Sequence, residues 1–585
     1  MKLVNFSDYQ SYINENGDCS RAIIKALSDI RENGQECTLI FSKGVYNIYK
    51  DYCEIREYHT SNTDSVDYPQ KTIGFLIENQ KNLTIDGGGC EFVFHGNIMA
   101  FAVVKSQNIK LLNFSWDFAE PTATQLTTVS SKGKTISYSI PKSCPFEING
   151  KNIEWICGKS PYTDKTYYTE KNYHDAWCVV GYNPKSGIKL RYSFTNTPFS
   201  HIKSIKKTGK NSVDIKYWLK APKVWQTTGI SCEMCSSKHR PTAGAFIWES
   251  ENITADSIVV HYLHGFGWLT QMSRNISFLN CRFEPNRNGN TCVSYADLIH
   301  VSGAGGKIDI ENCCFSHAHD DPINIHGTFT RAEKLIDKNT LQLKYIHRQQ
   351  GGFPQFHEGD EVIFYSRDML SPLGGKEKIY TVKKAGVPGS DGNDMKSMTI
   401  EFFDDLPCEL TEKIGTELKY VAENITYTPE VIIKNCTFDH IPTRGILCTT
   451  RKKVLIENNR FDHIAMACIF ISNDSSEWYE SGPVRDVTIR NNEFFIRDSG
   501  QKEWKDAPAV YVHPVTKGGK LPETPVHKNI VIEDNTVHLF HDRAFVIESV
   551  ENLTIKNNKI INHGSNAKKL YEFSACKNVE CNLTD

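Results

Sequence analysis

The sequence predicts an all-β protein, a right-handed parallel β-helix with an N-terminal capping helix and two inserted small β-barrel-like domains. Three observations carry the solenoid. First, a motif of alternating apolar residues, then Asn, often Cys, then Phe two residues on, recurs along the chain. Second, its leading apolar position steps from 253 to 276, from 431 to 454 and from 530 to 553, 23 residues each time, and from 276 to 308, one coil plus a loop. Third, each copy alternates with period two and is rich in β-branched residues, without the 3.6 period of a helical repeat. Such units bury their apolar faces by stacking.

The chain begins with Asp18-Cys-Ser-Arg-Ala-Ile-Ile-Lys-Ala-Leu-Ser-Asp-Ile30, a helix with a buried stripe of Ala22, Ile23, Ala26, Leu27 and Ile30 and a cap at Asp18 or Ser20. It plugs the open end of the solenoid. A strand at Thr38–Phe41 and the turn before Gly44-Val-Tyr46 follow. Residues 1–118 are thus the cap and first coils. The period is lost over 119–243, where residues 124–140 read as a hairpin, and again over 330–425, where strands fall at 341–345, 361–365, 380–382 and 398–402. Each stretch is a β-rich insertion. Coils fill 244–329 and 426–585.

In the motif, Asn113, Asn280, Asn312, Asn435, Asn458, Asn491 and Asn557 share one phase, and Cys281, Cys313 and Cys436 the next. Phe283, Phe315, Phe438, Phe461 and Phe494 lie two further on. Coils stack about 4.8 Å apart, so these become an amide ladder and two core stacks. The Asn-x-Ser/Thr matches at Asn82, Asn252, Asn275 and Asn435 belong to this turn chemistry.

The 585 residues carry a formal net charge of −2 and no Lys/Arg block, which points away from nucleic acid and from a membrane surface. No apolar run is long enough for a membrane span. The first residues contain no apolar signal segment. The odd total of 19 cysteines, several in phase with the repeat, suggests core thiols rather than a disulfide framework. Cys232-Glu-Met-Cys235 is a weak metal lead, and His317 and His319 lack a clear third ligand.

Three acids carry the chemistry. Registering Leu298-Ile-His-Val-Ser-Gly303 on Pro322-Ile-Asn-Ile-His-Gly327 aligns Ile299 with Ile323 and Val301 with Ile325, an offset of 24. The same offset sets Asp297 over Asp321 and His300 over Asn324, with Asp320 alongside. Carboxylates on adjacent coils, roughly 5 Å apart, raise one another's pKa and make an acid/base set at neutral pH. Glycosidic hydrolysis needs such a set; a Ca²⁺ site is the rival reading. Asn324 and His326 face outward by alternation. Arg444 follows Val431 by 13 residues as Asp321 follows Ile308, so it shares the phase of Asp321, as a substrate ligand or a salt bridge to it. Trp268, on the coil before Asp297, is a sugar platform or core. Asn473, Trp478 and Glu480 sit on a loop beyond Arg444 and join the substrate-binding set with His300.

With Asp297 and His319-Asp-Asp-Pro-Ile-Asn-Ile-His-Gly327 on the page, the chain resembles glycoside hydrolase family 110, exo-acting α-1,3-galactosidases that include enzymes acting on blood-group B antigens. The aspartate trio is also similar in arrangement to that of the inverting polygalacturonases. The resemblance implies an inverting hydrolase with Asp320 as general acid and Asp297 with Asp321 as base, needing no cofactor or metal. It implies a galactose-terminated glycan as partner and a periplasmic or secreted bacterial setting; a homodimer is left open. Arg444 alone can be placed beside the acids, which favours a neutral sugar. The alternatives are a β-helix polysaccharide lyase, a polygalacturonase-like hydrolase, and a carbohydrate-binding adhesin or tailspike.

Overall fold

The protein is described from a computed structural model covering residues 2–171, 179–192, 196–235, 240–286, 289–390, 392–499, 506–564 and 570–582. Its strands stack in parallel at the expected offsets: Ile253 pairs with Ile276, Ile276 with Ile308, Ile308 with Val431, Val431 with Val454 and Ile530 with Leu553. The result is a right-handed parallel β-helix whose interior is one continuous apolar core.

The predicted stacks are present. Successive rings of Phe283, Phe315, Phe438, Phe461 and Phe494 have centroids 5.2, 5.1, 4.6 and 5.0 Å apart. At the turns, Asn435 donates to Asn312 and Asn312 to Asn280, which donates to Asp256. These asparagines hold φ near +55°, a left-handed conformation that Asn tolerates better than most residues. Asn82, Asn108, Asn252 and Asn275 form a second exposed ladder of the same kind. Cys281, Cys313 and Cys436 are buried thiols, and beyond Cys436 their column continues as Asn459, Asn492, Asn535 and Asn558, each side chain bonded to the next.

The capping helix runs Ser20–Asn33 and buries Ala22, Ile23, Ala26, Leu27 and Ile30 against the first coils. Asp18 Oδ1 accepts the backbone N–H of Ser20 at 2.8 Å, and Gly34 closes the helix in the left-handed conformation. The strands Cys37–Ile40 and Val45–Tyr49 join the solenoid next.

Both insertions are β units with their own cores. The second closes as a six-stranded barrel spanning Thr330–Asp337 to Tyr420–Asn424. The first contains the expected hairpin, Ala123–Lys132 against Thr135–Ser139, within a seven-stranded antiparallel sheet beside a smaller three-stranded one. Among the described residues that larger sheet is open at both edges rather than closed. The first insertion reaches the wall that carries the acids, where Arg191 pairs with Asp320.

Candidate active site

The register expected from the sequence is the one observed: Ile299 pairs with Ile323, His300 with Asn324 and Val301 with Ile325. Just before these strands the two turns are tied together by backbone bonds. Asp320 N–H donates to Ala296 O, Leu298 N–H to Asp321 O and Ile299 N–H to Pro322 O, at 3.1, 3.1 and 2.9 Å. Asp297, Asp320 and Asp321 therefore line one small pocket, together with His300, Asn324, Arg444, Trp478 and Glu480.

Each acid has a different environment. Asp297 is 3 % exposed and shares a 2.7 Å hydrogen bond with His300 Nδ1. Burial, then the charges of Asp320 and Asp321, push its carboxyl well above the usual range. Burial also lifts Asp321, against the opposing pull of Arg444, which grips it with two parallel bonds: Nε to Oδ1 at 3.0 Å and Nη2 to Oδ2 at 2.6 Å. For Asp320 burial acts upward too, but Arg191, Arg240 and Arg444 overcome it and hold the carboxyl below its ordinary value. Arg191 Nη2 lies 2.6 Å from Asp320 Oδ2 and Arg240 Nη2 3.9 Å.

Arg191 and Arg240 come from the first insertion and were not anticipated; neither were Asn62 and Phe266, which also line the pocket. Arg191 lies on Ile188–Tyr192, two residues after Lys189 on the same strand face. Lys189 Nζ is buried, 2.7 Å from Glu233 Oε2, and donates to the carbonyls of Thr291 and His317. Glu233 also holds His319 Nε2 at 2.7 Å, and Arg191 donates to His319 O at 2.9 Å. The insertion thus grips the backbone on both sides of Ala318, immediately before the acid pair. Asn62 takes a 2.5 Å hydrogen bond from Gln350, so the barrel region braces a pocket residue of the first coils without lining the pocket itself.

The expectation that only Arg444 stands near the acids is corrected: three arginines do. Four carboxyl groups (Asp297, Asp320, Asp321 and Glu480) face three guanidinium groups there.

Other expected ligands divide. Asn324 lines the pocket; its buried Oδ1 has no hydrogen-bond partner and its Nδ2 lies 3.5 Å from Glu480 Oε1. Trp478, 40 % exposed, forms a wall and packs on His347 with ring centroids 4.4 Å apart. Its loop is held by Asp474, whose carboxylate accepts the backbone N–H groups of Ser476, Glu477 and Trp478. His300 reaches the pocket but acts on Asp297.

Two expectations fail, for His326 and Asn473, and the open reading of Trp268 is decided. His326 does point away from the coil core, yet Glu480–Ser481 adds antiparallel to Gly327 and Thr328 and covers it. Its Nε2 then meets His300 Nε2 at 2.9 Å rather than substrate. Trp268 is 1 % exposed and packs between Trp116 and Phe278, so it is core and not a platform. Asn473 is fully buried and does not line the pocket.

Two groups near the site bring metal-ligand atoms within 4.8 Å of one another: His300, His326 and Glu480, and Glu233, Cys292 and His319. Hydrogen bonds within the first, and the Lys189 ammonium in the second, already engage those atoms. The Cys232/Cys235 lead dissolves: Cys232 lies in the core of the insertion, while Cys235 Sγ sits 3.1 Å from His319 Nδ1.

Comparison with known proteins adds the following. The chain is 36 % identical over 546 residues to "Alpha-1,3-galactosidase A" of Streptomyces avermitilis, covering 91 % of this chain and 83 % of the relative. It is 32 % identical to the protein of the same name in Bacteroides thetaiotaomicron, over 94 % of this chain and 90 % of the relative. It is 28 % identical to "Alpha-1,3-galactosidase B" of Phocaeicola vulgatus, over 96 % and 90 %. Among solved structures, a family 28 exopolygalacturonase of Yersinia enterocolitica superposes with a TM-score of 0.42 at 10 % identity, over 100 % of this chain and 79 % of the other. No family model matches the chain.

Proposed function

The chain belongs to the α-1,3-galactosidase family, glycoside hydrolase family 110, and from that premise we propose that it releases terminal α-1,3-linked galactose by acid–base hydrolysis at Asp297, Asp320 and Asp321. The observation that supports this most is the pair of tied turns at 296–298 and 320–322, which turns three acids from two coils into one pocket.

The step needs two proton transfers. One acid protonates the oxygen leaving galactose C1 while a water oxygen bonds to C1 from the opposite face. A carboxylate takes the water's proton as the C1–O bond breaks. We assign Asp320 as the acid and Asp297 with Asp321 as the base, giving inversion at C1. We further assign exo action, on blood-group B-type glycans and linear α-1,3-galactosides.

One observation favours a second distribution of roles. Arg191 and Arg240 hold the Asp320 carboxyl below its ordinary value, whereas burial raises that of Asp297. On this reading Asp297 is the acid and Asp320 a base. A lyase using the acids for Ca²⁺ is disfavoured, because Arg191 and Arg444 already occupy the carboxylates that a cation would require.

The test uses Asp297→Asn and Asp320→Asn with α-1,3-galactobiose and with nitrophenyl α-galactoside. Wild type should release galactose from both. The variant lacking the acid should lose about 10²–10⁴-fold on the disaccharide and far less on the nitrophenyl substrate, whose leaving group needs no proton. Undiminished disaccharide turnover in both variants would refute the proposal.

A further inference from the structure

Asp297, His300, His326 and Glu480 form one continuous chain of polar groups, and we propose that its two histidines are a proton relay that sets the protonation of Asp297 in each catalytic cycle. The inference rests on the galactosidase reading and deepens it at the same site.

Short contacts between buried groups define the chain. Asp297 Oδ2 lies 2.7 Å from His300 Nδ1, His300 Nε2 lies 2.9 Å from His326 Nε2, and His326 Nε2 lies 3.4 Å from Glu480 Oε1. Both imidazoles are fully buried, and their rings meet nearly edge to face with centroids 4.8 Å apart. Asp320 and Asp321 share the pocket with Asp297, and Arg444 shares it with Glu480. Phe266 lies edge-on to His300 at 4.6 Å, with the Arg240 guanidinium 4.9 Å from its ring.

One contact orders the protons. His326 Nδ1 lies 2.7 Å from Gly327 O, and a carbonyl oxygen can only accept, so His326 carries a proton on Nδ1. With both rings neutral, His326 Nε2 is bare and accepts from His300 Nε2–H. His300 Nδ1 is then bare in turn, and the bond to Asp297 is donated by the carboxyl. Burial agrees with this order: it pushes Asp297 well above the carboxylate range and His300 well below the usual imidazole range.

The resting arrangement has one alternative, reached by two proton shifts. The O–H bond of Asp297 breaks as Nδ1–H forms on His300, and the Nε2–H bond of His300 breaks as Nε2–H forms on His326. The product is an Asp297 carboxylate, a neutral His300 and a His326 imidazolium facing Glu480. Glu480 is the one member of the chain that also lines the larger cavity beside the acid pocket, where water can exchange the proton. A sugar seated against Asp297 closes its direct route to water, so the relay supplies another. If Asp297 is a base, the relay draws off its resting proton before water attacks C1; if it is the acid, the relay returns the proton spent. His300 and His326 thus act through Asp297 and are positioning residues.

The experiment has two arms. Magnetic resonance of wild-type protein carrying heavy-nitrogen histidine reads the tautomers without any need for turnover: in the free protein His300 should hold its proton on Nε2 and His326 on Nδ1. In the kinetic arm, His326→Phe keeps a ring in place but ends the path. It should lower kcat on α-1,3-galactobiose about 10²-fold, the scale of a lost proton transfer, with KM within twofold. Glu480→Gln, which cannot receive the proton, should lower kcat as well. A His300 proton on Nδ1 in the free protein, or kcat within twofold of wild type in either variant, would overturn the inference. Wild type inactive on both galactosides, with the tautomers as stated, would sink the galactosidase reading and leave the proton order standing.

Discussion

Arg191, on a strand of the first insertion, places Nη2 2.6 Å from Oδ2 of Asp320, on a turn of the solenoid. Two units far apart in sequence thus share one half-buried charge pair, and the state of a proposed catalytic acid is set by an inserted domain. Arg191→Ala should lower kcat/KM by about 10²-fold, the scale expected for a misplaced catalytic group. Its effect on pH dependence is directional. Without Arg191 the Asp320 pKa rises, so the limb of the kcat/KM profile that reports Asp320 moves to higher pH. If Asp320 is the acid this is the alkaline limb; if a base, the acidic limb. A profile with neither limb displaced would remove Asp320 from the titrating set.

Asp297 should trade stability for function. Its folded pKa lies above its unfolded value, so its contribution is fully present below about 3.8 and is lost as pH rises toward the folded pKa. Asp297→Asn removes that loss. The variant should melt higher than wild type at pH 7, by about 1 °C per kcal/mol recovered, with the difference vanishing below pH 4, while turnover collapses. A lower melting temperature at pH 7 would contradict this account of Asp297.

Lys189 pairs with Glu233 away from solvent, and Glu233 is held below its usual pKa because Lys189 and His319 outweigh its burial. Lys189→Met strands a buried carboxylate beside the acid turn. It should cost about 3–5 kcal/mol, the scale for breaking a buried pair, and lower kcat as the turn at 318–321 loosens. Denaturant titration with parallel kinetics checks both; loss of stability without loss of kcat would reduce the triad to scaffolding.

The buried Asn column makes a separate prediction. Asn492 donates to Ile456 O and Asn535 Oδ1 and accepts from Asn459, each bond near 3.0 Å. Asn492→Ala leaves buried partners unsatisfied, at about 1–3 kcal/mol each. The melting temperature should fall while kcat at 25 °C stays near wild type, because Asn492 belongs to another wall.

What was legible in the sequence follows from periodicity. The 24-residue register placed Asp297 over Asp321, and the shared 13-residue phase from Ile308 and Val431 placed Arg444 beside it, because solenoid register is a local property carried coil to coil. Arg191 and Arg240 were invisible for the opposite reason: an insertion docks by shape, and no spacing relates residue 191 to residue 320. His326 shows the intermediate case. Alternation gave its direction correctly, but the strand Glu480–Ser481 that buries it comes from more than 150 residues away. Trp268 was open between platform and core, and its register with Ile299 on the inner face decides for core.

The central claim is that three carboxyls from two coils act on one anomeric carbon with water on the far side. Proton NMR of galactose as it is released from an α-1,3-linked galactoside tests this most directly. The account predicts β-galactose first, mutarotating later to the mixture. Galactose appearing first as the α-anomer would contradict it.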